Sequence, residues 1–114
     1  MANNFNENIY MLLKKVPRGK VTTYKALAEA AGTRAYRAVG QAMRCNPHAP
    51  VVPCHRVVAS NGSIGGFQGS RNPNGKEIKK KIGMLRKEGI TVLNNRIVNF
   101  ERKIFEFKQQ VPNS

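Results

Sequence analysis

A thiol and an imidazole stand side by side at Cys54 and His55, followed by the permanent charge of Arg56 and bracketed by the valine pairs Val51-Val52 and Val57-Val58. The thiolate is the nucleophile, and ionisable or cationic neighbours lower a cysteine pKa from about 8.5 toward neutrality. The pattern therefore supports nucleophilic chemistry at sulfur with a histidine base. Pro50 and Pro53 fix φ and remove backbone donors, so the thiol is expected on a turn rather than in mid-strand. Adjacent side chains of an extended segment point to opposite faces, so a turn or a water must connect His55 to Cys54. The plainer reading is a small core cysteine in an apolar run. Spacing alone leaves both open.

Cys45, His48, Cys54 and His55 also invite a zinc reading, with Cys45-x-x-His48 as one half of a site. The second half fails, because consecutive Cys54 and His55 ligate one tetrahedral metal awkwardly and the chain has no other Cys or His. No metal and no cofactor is expected. Met1-Ala2-Asn3-Asn4 lacks the charged flank and apolar core of a secretory signal, which predicts a cytoplasmic protein, at the nucleoid or in a nucleus, with both thiols free. No apolar run is long enough to span a bilayer.

Twenty Lys and Arg against six Asp and Glu leave a net charge of +14 on 114 residues, enough for one domain. Such a surplus attracts nucleic acid or another polyanion. Composition alone also fits a ribosome-associated or merely very soluble protein.

The elements that position the thiol can be read outward from it. Phe5, Ile9, Leu12, Leu13 and Val16 recur at helical spacing and predict a first helix, stopped near Pro17-Arg18-Gly19. A threonine N-cap precedes a second helix over Lys25 to Ala31, ended by Gly32 as its C′ residue. Thr33 is expected to cap a third, through Tyr36, Val39, Gly40 and Met43 to Asn46-Pro47. Two short helices joined by a Gly-containing turn read as a helix-turn-helix. Arg34, Arg37, Gln41 and Arg44 then form one basic face suited to a DNA groove, or else a solvated face.

Beyond Cys54, Arg56 to Ala59 predicts a short buried strand, Ser60 to Ser63 a turn, and Ile64 to Ser70 a glycine-rich loop around Phe67. Glycines there let a backbone approach a flat ligand, although an ordinary flexible loop reads the same. Asn72-Pro73 is expected to start a last long helix with an Ile78, Ile82, Leu85 stripe, to which Lys79, Lys80 and Lys81 add charge. Glu88-Gly89 closes it. Thr91 to Val98 predicts a hairpin around Asn94-Asn95, Phe100 to Phe107 is ambiguous, and residues 109–114 are expected to fray beyond a single domain over 1–108.

Pro53-Cys54-His55-Arg56, the upstream Arg37-Ala38-Val39-Gly40 and Asn46-Pro47, and the downstream Gly65-Gly66-Phe67 together resemble the catalytic domain of O6-alkylguanine-DNA alkyltransferases, from about Phe5 to Gly89. The resemblance implies a mostly α fold with a small β element, a single winged-helix-like DNA-binding domain. It implies repair of double-stranded DNA by a monomer that moves an alkyl group irreversibly from guanine O6 to Cys54. Residue by residue, His55 would act as base through a water, Glu88 would orient His55, Tyr24 would donate to guanine N3, and Asn46 would brace the turn. Arg37 would replace the flipped nucleotide in the duplex, with Thr23, Arg34, Tyr36, Gln41 and Arg44 at the DNA. The backbone carbonyls of Cys54 and Val58 would accept from the guanine amino group, and Ser60, Phe67 and Gln68 would wall the pocket.

The chain also departs from the family pattern. Phe67 stands where many members have tyrosine and Gln68 where serine is frequent, while Arg71 to Gly75 lengthens the loop before Glu88. Full-length members often carry an additional N-terminal domain, whereas this chain starts almost at the catalytic one. Alkyltransferase-like proteins that bind lesions silently characteristically replace the cysteine, often by tryptophan; Cys54 is present and the chain has no Trp. A transcriptional regulator would use the helix-turn-helix but leave the Cys54 segment idle.

Overall fold

The computed structural model describes residues 4–107; the expected fraying over 109–114 falls outside them. Three helices, α1 (Asn4–Leu13), α2 (Tyr24–Ala30) and α3 (Tyr36–Arg44), pack around Ile9, Leu13, Val16, Leu27, Val39 and Ala42. A second core under α4 (Lys76–Lys87) gathers Val21, Val58, Ile64, Phe67, Ile78, Leu85 and Ile90. The seam between the two is a pair of two-residue parallel strands, β1 (Thr22–Thr23) and β2 (Val57–Val58), with Thr22 opposite Val57 and Thr23 opposite Val58. Alternation along β2 sends Val57 into the first core and Val58 into the second. Cys54, one short turn earlier, packs against both.

Local chemistry explains most element ends. The Thr23 hydroxyl accepts from Ala26 N at 3.0 Å and starts α2. At its end Gly32 takes φ +78°, its N–H donates to Glu29 O and Thr33 N–H to Ala28 O, the Schellman pairing expected of a C′ glycine. The α4 terminus repeats it, with Gly89 N donating to Arg86 O and Ile90 N to Leu85 O, which sets Glu88 as the C-cap. That position aims the Glu88 carboxylate back toward the Cys54 segment.

Two helix starts differ from expectation. The Thr33 hydroxyl accepts from Ala35 N at 3.0 Å, and this local turn delays α3 to Tyr36, so Arg34 lies before the helix rather than on its face. Asn72 likewise accepts from Asn74 N through its side chain and from Gly75 N through its carbonyl, holding Asn72 to Gly75 in a turn and delaying α4 to Lys76.

The expected hairpin is present as β3 (Val92–Leu93) and β4 (Arg96–Ile97), joined by Asn94 and Asn95 at φ +51° and +65°. It docks on the segment after β2, where Ile64 N donates to Asn95 O and Ile97 N to Gly62 O. The ambiguous stretch after it forms a short helix α5 (Phe100–Lys103) and then a parallel bridge from Ile104 to Val21.

Candidate active site

Cys54 to Arg56 form one turn of 3-10 helix, the turn expected for the thiol, with Arg56 closing it instead of opening the strand at Val57. Three residues per turn put successive side chains about 120° apart, so the three groups diverge. Cys54 faces a cleft of about 900 Å³. His55 and Arg56 turn to the opposite side and meet on Glu88.

Asn46 fixes this turn from outside the cleft. Its Nδ2 donates to Val52 O at 2.8 Å, the carbonyl that also accepts from Cys54 N at 2.9 Å, while its Oδ1 accepts from His48 N. The thiol is half-buried and, like the exposed Cys45, free.

His55 is 3 % exposed, and its Nε2 lies 2.8 Å from Glu88 Oε2. Arg56 closes a fork on the same carboxylate, Nε to Oε1 at 2.9 Å and Nη2 to Oε2 at 2.7 Å, with Nη1 on Val16 O. Burial pushes the His55 pKa below its ordinary value, against the opposing pull of Glu88. Burial alone would raise the Glu88 carboxyl, but the hydrogen bonds from Arg56 and His55 outweigh it and hold the carboxyl below its usual range. The carboxylate therefore accepts Nε2–H from a neutral imidazole and leaves the Nδ1 lone pair open as a base.

Both shifts set the acid limb of stability. A depressed carboxyl contributes stability that is complete above its unfolded pKa and lost as pH falls through the lower folded value; a depressed histidine acts in the same direction below about 6.5, where the unfolded chain takes up the proton first. Glu88→Gln is expected to lower stability at pH 7 by about 2 kcal/mol and to flatten its decline between pH 6 and pH 3. Urea denaturation across that range measures both.

The cleft runs between α3 and the glycine loop. Tyr36, Arg37, Gln41 and Arg44 line one wall, and Phe67, Gln68 and Arg71 the other, with Cys54 and Tyr24 between. Tyr24 opens α2, and its phenol pKa is raised by burial and by the Cys54 thiol. Two glycines of the facing loop pack closely, Gly65 beside the Tyr24 ring and Gly66 against its own turn. A Cβ on Gly65, at φ +74°, would lie 3.5 Å from the Tyr24 ring, and one on Gly66 would press to 3.0 Å of Ser70 O. Phe67 and Ser70 exchange two backbone hydrogen bonds of 2.9 Å, closing a tight turn with Gln68 at φ +51°.

Several expected contacts fall elsewhere. Thr23, expected at the DNA, is 4 % exposed with its hydroxyl committed to the α2 cap. Val58 is buried and does not line the cleft; Ser60 is exposed in its turn and does not line it either, Ala59 and Ser63 doing so instead. Arg34 is exposed but also off the cleft lining. The Cys54 carbonyl accepts from Val57 N, which leaves its second lone pair for a ligand.

Lys81 is the residue whose role the sequence reading missed. It is fully buried, and Nζ donates to Val57 O and Ile64 O at 2.6 Å and to Gly66 O at 2.9 Å. One ammonium thus ties α4 to β2 and to the glycine loop, the floor and one wall of the cleft. Burial drives its pKa down to about 7. Three carbonyls nevertheless match the three protons of the charged form, and a neutral amine would leave one unpaired. The signal was its position, three residues after Ile78 and four before Leu85, on the apolar stripe rather than the charged face.

Residues 4–90 match the model of the family described as 6-O-methylguanine DNA methyltransferase, DNA binding domain. The chain is 46 % identical over 81 residues to a methylated-DNA–protein-cysteine methyltransferase of Metallosphaera sedula, covering 71 % of this chain and 47 % of that protein. It is similar to the crystal structure of the O6-methylguanine-DNA methyltransferase of Pyrococcus kodakaraensis, with a TM-score of 0.63 and 45 % identity over 75 % of this chain and 46 % of that one. It is also similar to S. pombe ATL in complex with DNA, with a TM-score of 0.74 and 28 % identity over 91 % of this chain and 96 % of that one. The chain spans about half the length of the methyltransferase relatives it matches.

Proposed function

We propose that this chain, which belongs to the 6-O-methylguanine DNA methyltransferase family, repairs double-stranded DNA by moving an alkyl group from guanine O6 to Cys54 in a single irreversible turnover. The observation that carries the reading is a free, half-buried thiol and a phenol in one cleft, with a carboxylate-held imidazole behind the thiol.

Each residue has a step. His55 Nδ1, acting through a water, takes the proton from Cys54 Sγ, and Glu88 holds the ring for it. The thiolate attacks the alkyl carbon; an S–C bond forms as the C–O6 bond breaks, and the electron pair leaves with the guanine. Tyr24 donates to the departing base, whose restored N–H balances the proton lost from sulfur. Help of this kind to a leaving group is worth about 10²- to 10⁴-fold. The base reaches the thiol only outside the stack, so α3 delivers it by nucleotide flipping, with Arg37 filling the gap in the duplex. The reading places the protein wherever the cell keeps its DNA; among the described residues no helix is long and apolar enough to cross a membrane.

Mass spectrometry after incubation with a duplex containing one O6-methylguanine tests the proposal: one added methyl group, located on Cys54, is expected. Lesion binding with no mass change would instead favour a silent binder, a reading that the likeness to S. pombe ATL keeps in view.

Arg37→Ala is expected to weaken capture of the lesion duplex about tenfold, with a much smaller effect on reaction with free O6-alkylguanine base. Equal rate loss on both substrates would contradict the flipping role. Affinity should also fall steeply with salt, as a strongly cationic protein releases counterions from DNA.

A further inference from the structure

The cleft has a third cation that neither α3 nor the transfer chemistry accounts for. Arg71 stands on the wall opposite Arg37 and Arg44, and the lining holds no Asp, Glu or His. Among the described residues the ion pairs are those of His55 and Arg56 with Glu88, so no carboxylate offsets any of the three guanidinium groups. Three like charges facing one another across a cleft repel unless an anion lies between them.

The loop that carries Arg71 is built to hold it. On one side Phe67 and Ser70 close their doubly hydrogen-bonded turn; on the other Asn72 N donates to Ser70 Oγ at 3.2 Å and Asn72 O accepts from Gly75 N. The Arg71 stem lies along Gly66, its Cγ 3.4 Å from where a Cβ would stand. At the loop tip, a Cβ on Gly69 would come 3.5 Å from Arg44 Nε, so loop and α3 approach each other closely. Arg71 lines the same cleft as Tyr24, and its charge opposes the effect of burial on the Tyr24 phenol.

We propose that Arg71 binds a backbone phosphate of the strand that carries the flipped nucleotide, forming the loop-side half of a clamp whose other half is Arg44 on α3, beside the Arg37 that fills the duplex. This rests on the alkyl-transfer reading and adds to it. When a base is seated between Cys54 and Tyr24, its phosphates remain at the exposed rim, where Arg71 stands. A guanidinium offers a phosphate two parallel donors, which fixes the strand in orientation as well as attracting it.

The test uses the full chain, a duplex with one O6-methylguanine, and the same duplex with single methylphosphonates that remove the charge of each phosphate flanking the lesion. Arg71→Gln is expected to weaken duplex capture about tenfold and to reduce the slope of log affinity against log salt by about 0.9, the value of one phosphate contact. Its effect on transfer from free O6-alkylguanine base, which has no phosphate, should be much smaller, and Arg71→Lys should recover part of the duplex affinity. One methylphosphonate position that weakens the wild type should cost Arg71→Gln nothing further. Losses that add at every position overturn the contact. An equal loss on duplex and free base overturns it too and assigns Arg71 to the leaving base through Tyr24. If the wild type gains no methyl from either substrate, the transfer reading fails; the duplex affinities and the methylphosphonate series still decide the clamp.

Discussion

Lys81→Met is expected to lower unfolding free energy by about 3 to 5 kcal/mol and to abolish alkyl transfer, although the side chain is fully buried and absent from the cleft lining. Methionine fills similar space but donates nothing. The carbonyls of Val57, Ile64 and Gly66 would then lose their shared donor in a region closed to water, and each buried acceptor left unpaired costs about 1 to 3 kcal/mol. The loss of function follows from what those carbonyls belong to. Val57 is the strand residue just past the Cys54 turn, and Ile64 and Gly66 flank Gly65, which lies beside the Tyr24 ring. Chemical denaturation measures the stability term. Transfer assayed where the variant remains folded measures the other, and a folded Lys81→Met with wild-type transfer would show that the clip serves stability alone.

Cys54→Ala is expected to separate binding from chemistry. Methyl transfer should fall to background while affinity for the lesion duplex stays within about threefold, because the cleft cations proposed to hold DNA lie on α3 and the loop and not at the thiol. The turn should survive, since Asn46 and Cys54 N both hold Val52 O and neither bond uses the sulfur. Intact-mass analysis together with binding to the methylated duplex checks both halves. Loss of binding equal to loss of transfer would make the thiol a packing residue between the two cores.

Short-range chemistry was legible where one residue type dictates one conformation. A threonine as the α2 cap, Gly32 as a C′ residue, Glu88-Gly89 as the end of the last long helix, and Asn94-Asn95 as a hairpin turn follow from side-chain acceptors and permitted φ, and all four are in place. The same local chemistry misled where two polar groups competed. Thr33 and Asn72 each bind a nearby backbone N–H in a turn, which displaced the starts of α3 and α4 by a few residues and took Arg34 off the helix.

By itself the sequence determined the reactive pair and its setting: a thiol next to an imidazole on a proline-stiffened turn, a basic helix upstream, and a glycine loop downstream, all within the first 90 residues. Those depend on residue type and near-neighbour spacing. Only the tertiary structure decided which partners those groups meet. Glu88 is 33 positions from His55, and Lys81 reaches carbonyls 15 to 24 positions away. Asn95 comes to the cleft from a hairpin beyond the family match. Such contacts arise because apolar stripes must be buried against one another, and burial brings together charges whose sequence separation carries no local signal.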